Sequence, residues 1–527
     1  MTMNPDLRIV EHPFLDFKRG PKIKIYYQGK AIEAHEGETI GAALCAADIS
    51  VFTRSFKYHR PRGMFCAIGK CSSCMMRVNG MPNIKTCITP AEDGMLVEPQ
   101  NCYPSANEDI FNIMNRFSFA LKPKVYYKMF LRPRMLSTFF LKIIRYLSGM
   151  GSFPTSTRQS KPSGVNESRE TEIAVVGSGP AGLYAAFHAA NQGSKVTLID
   201  ENNRVGGQLI KQTHKFFGSK EHYAGVRGID IAKLFAEQVL NHKNIEVLLN
   251  SFVIGIYPDN ILGIVQDNKF IKLRAKKVVI STGAYERTLI FENNDIPGVM
   301  GAGGVQTLMN VHGVKPGKEA LMIGAGNVGL IVSYQLLQAG VNVKAVVEAA
   351  PKIGGYFVHA AKIRRSGVPI LVSHSIKGVW GKNRVEGAKI VQLDEKWQYI
   401  PNTDEDVKCD LICVATGLRP TYELLYQAGA KMKLVPELGG HVPLRTKSME
   451  TTTRGIYIAG DACGIEEAST AMVAGRVAGI SAALSLGYGD ERTKELREKA
   501  IGELENMRSG PTGEKIRKGT KEVTFGD

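Results

Sequence analysis

The sequence predicts an α/β protein: a small β-rich domain at the N-terminus, then two nested parallel-sheet domains. Three observations carry that prediction. Four cysteines cluster at Cys66, Cys71, Cys74 and Cys87. A glycine-rich strand-to-helix turn stands at Gly177-Ser-Gly179-Pro180-Ala181-Gly182. A second turn of the same form stands at Gly324-Ala-Gly326-Asn-Val-Gly329. The two turns lie roughly 150 residues apart, room for one α/β domain nested within another. The length, 527 residues, suits about three domains.

The first domain is expected over residues 20–104. Lys22 to Gln28 and Lys30 to Ala34 alternate like two short strands across a turn at Gly29. Thr39 is placed to cap a short helix over Ile40 to Ala47. Strand, turn, strand, helix and cysteine loop is the order of a β-grasp ferredoxin. The cysteines read C-x4-C-x2-C with a fourth at Cys87, the spacing of a plant-type [2Fe–2S] loop. Three thiolates come from one loop, turned tightly at Gly63 and Gly69. Met75 to Val78 reads as a strand and Asn79-Gly80 as a hairpin turn, which brings Cys87 back beside Cys74. A zinc site would show two short ligand pairs. A Cys71–Cys74 disulfide would leave Cys66 and Cys87 unexplained. Cys45, in the helix, and Cys409 and Cys413, in an apolar strand, read as core thiols. Cys102 and Cys463 have no assigned role.

The first glycine turn follows the strand Ile173 to Val176 and opens a helix over Leu183 to Gln192. A second strand, Val196 to Ile199, ends at Asp200. That context makes it a dinucleotide fingerprint. Gly177 makes the turn, Gly179 admits the pyrophosphate to the helix N-terminus, and Gly182 packs helix on strand. Asp200 is expected to accept from the adenosine ribose, with Glu201 either sharing that role or solvated. Arg204-Val-Gly206-Gly207-Gln208 follows the acid, as in two-dinucleotide flavoproteins. The strand before Gly460-Asp461 and the helix from about Ala468 to Ala483 fit a flavin site, Asp461 meeting the ribityl chain. FAD is therefore expected here, over residues 171–300 and 410–489.

The second turn lies between the strands Ala320 to Ile323 and Val343 to Val347, with a helix over Leu330 to Gln338. Glu348 ends the second strand, and a carboxylate there would repel a 2′-phosphate. NAD(H) on Gly324, Gly326, Gly329 and Glu348 is expected over residues 301–409. The alternative is a retained fold with an empty site.

Composition is that of a globular protein, 44% hydrophobic and 22% charged with 55 glycines. The net charge is +17, but no zinc-finger or RNA-binding signature accompanies it, which argues against a nucleic-acid protein. No run of about 18 apolar residues suggests a membrane span, the first 20 residues lack a secretory core, and the cysteine use suits a reducing compartment. A cytoplasmic location is expected. Residues 105–170 read as a basic, aromatic connector ending in a Ser/Pro/Gly-rich linker from Gly149 to Arg169. Pro123, Pro133 and Pro154 make it a packing arm, with a membrane-surface helix as the alternative. Residues 490–527 read as a charged tail that frays or docks on a partner.

With these motifs in view, the chain resembles the α subunits of heteromeric amine and amino-acid oxidoreductases. That family includes sarcosine oxidase, opine oxidase, hydrogen cyanide synthase and dye-linked proline dehydrogenase. The similar strings are Arg54-Ser-Phe-Lys-Tyr-His-Arg-Pro-Arg-Gly63, Tyr126-Tyr-Lys-Met-Phe-Leu-Arg-Pro133, Thr282-Gly-Ala-Tyr-Glu-Arg287 and Phe291-Glu-Asn-Asn-Asp-Ile-Pro-Gly-Val-Met300. The resemblance implies a glutathione-reductase-like core holding FAD on Gly177, Gly179, Pro180, Ala181, Gly182, Asp200, Glu201, Gly207, Gln208, Thr282, Gly283, Gly460 and Asp461. It also implies a β-type amine-oxidising flavoprotein partner, an electron carrier and a small amine substrate. An FMN shared with that partner, or another adenine nucleotide at the second turn, fits the same resemblance. Sarcosine oxidase α subunits have lost cluster cysteines and carry a folate-binding domain; this chain keeps four cysteines and is expected to be too short for that domain. Three functions stay open: an electron-transfer subunit, a self-contained NADH:acceptor oxidoreductase, and a scaffold that holds flavin and nucleotide. No residue reads as a substrate base. His214-Lys-Phe-Phe-Gly218 reads as loop packing, with a border on the flavin as the alternative.

Overall fold

A computed structural model describes residues 6–116, 137–139, 142, 166–216, 220–266, 269–511 and 513–526. Tyr126 to Pro133, Pro123, Pro154 and most of the expected connector lie outside the described residues. By contact the chain divides into two compact units. The described residues of 1–160 and 286–416 form one, and those of 161–285 and 417–527 form the other.

The N-terminal part pairs β1 (Lys22–Tyr27) with β2 (Lys30–His35) in antiparallel register. Helix α1 (Ile40–Ala46) follows, and the Thr39 hydroxyl accepts from Ala42 N–H as an N-cap should. Strands β3 (Met75–Val78) and β4 (Met81–Lys85) form the hairpin across Asn79-Gly80, where both residues have positive φ. Strand β5 (Leu96–Glu98) lies between β1 and β3, so the sheet order is β2-β1-β5-β3-β4.

Strand β6 (Asn166–Val176) begins the other unit. It starts inside the stretch read as linker, because its first residues pair with Phe270 to Arg274. Helix α2 (Pro180–Asn191) and β7 (Val196–Ile199) follow. Strands β8 (Ile245–Leu248), β9 (Ser251–Tyr257), β10 (Ile261–Gln266) and β11 (Lys269–Ile280) complete a sheet ordered β8-β7-β6-β11-β10-β9. It is parallel from β8 to β11 and antiparallel beyond.

The chain then returns to the first unit. Strand β12 (Val299–Gly301), helix α3 (Ala302–Asn310), β13 (Glu319–Ile323), helix α4 (Asn327–Gln338), β14 (Asn342–Val347), β15 (Ile370–Leu371) and β16 (Leu411–Val414) build a parallel sheet ordered β12-β16-β13-β14-β15. The expected limits of this layer, 301–409, are therefore too narrow. Residues 291–299 supply Phe291, Ile296 and Val299 to its core, and β16 lies beside β13. One apolar core joins Ile25, Leu44, Met76 and Val97 of the cysteine domain to Val305, Leu308, Met322 and Leu330 of this layer.

The second unit closes with β17 (Ile456–Ile458), which pairs with β11, and helix α5 (Ala468–Leu484). The charged tail does not fray. It folds as α6 (Glu491–Met507) and α7 (Glu514–Val523), because each carries a narrow apolar stripe. Ala500 and Leu504 of α6 enter the core of this unit, and Val523 of α7 enters a smaller cluster with Val435, Leu438 and Val442. Helix α5 lies against α2 so closely that a Cβ on Gly475 would run into Ala181 O, and one on Gly479 into Ala185 O. Overpacking costs about 1–3 kcal/mol. Gly479→Val should destabilise the flavin-free chain by about 2 kcal/mol, read as a lower thermal midpoint; an unchanged melt would contradict this packing.

Candidate functional site

The cysteine loop brings its four predicted residues together. Cys66, Cys74 and Cys87 are buried and Cys71 is half-buried. Cys71 N–H donates to Cys66 Sγ at 3.4 Å. The Cys66 thiol lies in hydrogen-bond reach of Cys71 and Cys87, and Cys87 in reach of Cys74. The hairpin accounts for the last contact: Met75 pairs with Lys85, and the Thr86 hydroxyl donates to Cys74 O at 2.8 Å. Positive φ at Ala67 and Gly69 turns the loop, and Lys85 Nζ donates to Gly69 O at 2.6 Å.

The fit to a metal cluster lies in the thiol chemistry. Hydrogen bonds from Cys71 and Cys87 push the Cys66 thiol far down, while the same bonds push Cys71 and Cys87 up. Two of the four thiols, Cys66 and Cys74, are held low and two, Cys71 and Cys87, high; crowded together they cannot all ionise, and a cationic metal core would lift that limit by deprotonating all of them. Among the described residues no group of three or more His, Cys, Asp or Glu side chains is already arranged as around a single metal ion. A two-iron cluster held by four thiolates asks only two of each iron. Cys45 lies behind the loop, and burial pushes its thiol up to about 12. Cys409 and Cys413 are buried core thiols, as expected.

The first glycine turn is shaped by close approach. Gly177 has φ +102, and a Cβ there would run into Ser281 O, while one on Gly182 would run into Gly177 O. A Cβ on Gly179, by contrast, would meet nothing within 4 Å. Gly179 is the N-cap of α2, has no side-chain cap, and is followed by Pro180, which has no N–H. The N–H groups of Ala181 and Gly182 therefore end the helix uncapped, as an anion site needs. Gly207 stands over the turn, its Cβ position 2.6 Å from Gly179 Cα, and Gln208 follows in the same short 3-10 turn. Asp200, expected at the adenosine ribose, also braces the turn. Its Oδ2 accepts from Ser178 N–H and Ser178 Oγ, both at 2.6 Å, and its Oδ1 from Asn202 N–H at 2.8 Å. Glu201 is the exposed acid beside it. Thr282 donates through Oγ1 to Thr421 O at 3.0 Å, and a Cβ on Gly283 would meet open space.

The second turn repeats this wiring. Gly324 has φ +109 and would meet Ala415 O; Gly329 would meet Gly324 O; Gly326 faces open space. Glu348 Oε2 accepts from Ala325 N–H at 2.7 Å, and Oε1 from Ala350 N–H at 2.9 Å. Sequence reasoning missed Gly354 and Gly355. Gly355 N–H donates to Ala325 O at 2.9 Å, just as Gly206 N–H donates to Ser178 O at 2.9 Å. The signal was legible, because Gly354-Gly355 follows Glu348 at the spacing by which Gly206-Gly207 follows Asp200.

Gly460 and Asp461 end β17 in a short 3-10 turn before α5. The Asp461 carboxyl accepts a long bond from Glu466 N–H, 3.4 Å, and burial pushes it up to about 7. A hydroxyl donor would satisfy it better, as a ribityl chain offers. Two further residues escaped the sequence reading. Arg508 of the tail pairs with Glu466 at 2.6 Å, with both side chains largely buried. Arg445 is 2% exposed, and its two terminal nitrogens have no hydrogen-bond partner in the structure. His214 stacks on Phe216, which joins the core; Phe217 and Gly218 lie outside the described residues.

Comparison with known proteins fits this geometry. Residues 171–475 match the family described as pyridine nucleotide-disulphide oxidoreductase, and residues 20–102 a 2Fe-2S iron-sulfur cluster binding domain. The alpha subunit of sarcosine oxidase from Rhizobium meliloti (strain 1021) is 27% identical over 433 residues, 78% of this chain and 41% of the relative. An opine oxidase subunit from Agrobacterium tumefaciens (strain Ach5) is 26% identical over 330 residues, 60% of this chain and 66% of the relative. The chain spans less than half the length of its sarcosine oxidase relatives. In fold it is similar to the crystal structure of L-proline dehydrogenase from P. horikoshii, with TM-score 0.65 at 24% identity over 93% of this chain and 79% of that one. No described helix is long and apolar enough to cross a membrane.

Two outcomes are expected. Gly179→Val should leave the melt of the flavin-free chain unchanged, since its side chain enters open space, and should abolish retention of flavin on a desalting column. Retained flavin would show that the pyrophosphate does not cross this turn. Asp461 titrates higher folded than unfolded, so its contribution makes the flavin-free chain less stable as pH rises from 3.8 to about 7. In Asp461→Asn that loss should vanish when denaturation midpoints are compared across the window; parallel pH profiles would refute the burial of this carboxyl.

Proposed function

Because the chain belongs to the pyridine nucleotide-disulphide oxidoreductase family and joins that core to an iron–sulfur domain, we propose that it is the electron-transfer subunit of an amine- or amino-acid-oxidising complex. A partner flavoprotein oxidises the C–N bond of an amino acid, opine or related amine in the cytoplasm, and a carrier accepts the electrons. FAD and a [2Fe–2S] cluster, when bound, supply two-electron and one-electron chemistry, which together turn hydride transfer into single-electron transfer.

The residues of this chain hold and tune. The uncapped end of α2 binds the pyrophosphate, Asp200 at the strand end accepts from the adenosine ribose with Glu201 beside it sharing that role, and Asp461 accepts from the ribityl chain. Cys66, Cys71, Cys74 and Cys87 hold the cluster. The observation that carries the proposal is the gathering of four thiols in the same chain as a glycine turn whose helix end lacks a cap. The sarcosine and opine oxidase relatives support the substrate class.

A second reading has its own support. The second turn is wired like the first and ends at Glu348, which suits NAD(H), so the chain could oxidise NADH unaided. On a third reading both sites are scaffold, and the isolated chain would hold less than one FAD.

One preparation separates these readings. The chain purified with its native partners should show flavin, iron and cluster absorption, and should oxidise an amine only when the partner is present. Flavin bleaching by NADH in the isolated chain would favour the second reading. Amine turnover by the chain alone, or an absence of both iron and flavin, would overturn the proposal.

A further inference from the structure

The first turn of α3 is a meeting point of an acid and the cysteine loop, within one compact unit. On one side stands Glu286. Its Oε1 accepts from Gly303 N–H at 2.5 Å, and its Oε2 occupies the place a Cβ on Gly301 would need. On the other side stands the loop. Gly301 N–H donates to Phe65 O at 3.1 Å. A Cβ on Gly304 would run into Phe65 O and lie 3.2 Å from Cys66 Cα. Gly301 has an ordinary φ of −65°, so close approach, not backbone conformation, requires a glycine there. A carboxylate and a cysteine assigned above to the cluster are thus held against one helical turn.

The charge of Glu286 reaches the interior. Burial first, and then Glu286, push the thiol of Cys413 up, and Cys413 is fully buried on β16. A charge fixed in such surroundings acts more strongly than it would in water. Hydrogen bonds, net charge and exposure around an iron–sulfur centre set its potential. The N-terminus of α3, bearing the positive end of the helix dipole, would by itself favour a more negative, reduced cluster. Glu286 opposes it.

We propose that Glu286 sets the reduction potential of the cluster. The inference rests on the cluster assignment proposed above. In the step concerned, the oxidised cluster gains one electron from reduced flavin and becomes more negative by one charge, with no bond formed or broken. The fixed carboxylate, held against the same helical turn as Cys66, disfavours that added charge, so it lowers the potential and makes the reduced cluster a stronger donor to the carrier. Glu286 is a positioning and tuning residue; it touches neither substrate nor flavin in this role.

The test is a redox titration of the full chain, followed by the electron paramagnetic resonance of the reduced cluster. Glu286→Gln keeps an oxygen acceptor for Gly303 N–H and removes the charge; Glu286→Asp keeps the charge. The expected order places the Gln variant at a more positive midpoint than wild type, with the Asp variant close to wild type and iron content equal in all three. Equal midpoints in Gln and wild type would overturn the proposal, as would the same shift in both variants. Loss of iron in Gln with retention in Asp would make Glu286 a structural support and would also overturn it. A wild-type chain without any cluster signal would instead refute the cluster assignment.

Discussion

Each dinucleotide layer depends on a carboxylate that reaches from the end of a strand to the backbone of a glycine turn. Asp200 holds Ser178 N–H at 2.6 Å, and Glu348 holds Ala325 N–H at 2.7 Å. In each case the held residue lies between the first two glycines. That bond ties the second strand of the layer to the turn after the first. The helix then starts with its N–H groups free, because no side chain caps it. The absence of Cβ atoms permits the rest: a side chain on Gly182 or Gly329 would collide with the carbonyl of the first glycine. The site is therefore made chiefly of backbone, and its chemistry is that of a helix end awaiting an anion.

The same carboxylate has two duties. At the first turn Asp200 braces the backbone and is proposed to accept from a ribose. At the first turn Glu201 follows Asp200; at the second, Ala349 follows Glu348. The two layers share wiring but differ in the residue that follows the carboxylate. The first also has Asp461, a half-buried carboxyl whose one hydrogen bond from the backbone is long.

The cysteine domain obeys another logic. Its loop is closed by a hairpin, by α1 behind Cys87, and by α3 in front of Cys66; a Cβ on Gly41 would stand 3.2 Å from Cys87 Cα. Arg60 adds a two-pronged contact to Asp295, at 2.7 and 2.6 Å, and Arg62 reaches the same carboxylate. Arg60 and Arg62 belong to the unusual string at residues 54–63, and Asp295 to the one at residues 291–300. These strings hold the cysteine domain to the second dinucleotide layer, with which it shares a core.

Local pattern determined much of this protein. The hairpin at Asn79-Gly80, the Thr39 cap, both glycine turns and the acids at the ends of β7 and β14 follow from residues near in sequence, where glycine, proline and capping preferences act over a few bonds. The tail misled for lack of an obvious apolar run: its narrow stripes became informative only once the surfaces that receive Leu504 and Val523 existed. Only tertiary structure decided that β16 and residues 291–299 join the second layer, that Arg508 meets Glu466, that Arg445 is buried, and that Glu286 and Cys66 share one helical turn. Each of these depends on close approach between residues far apart in sequence, and no short window of sequence records which distant backbone will arrive.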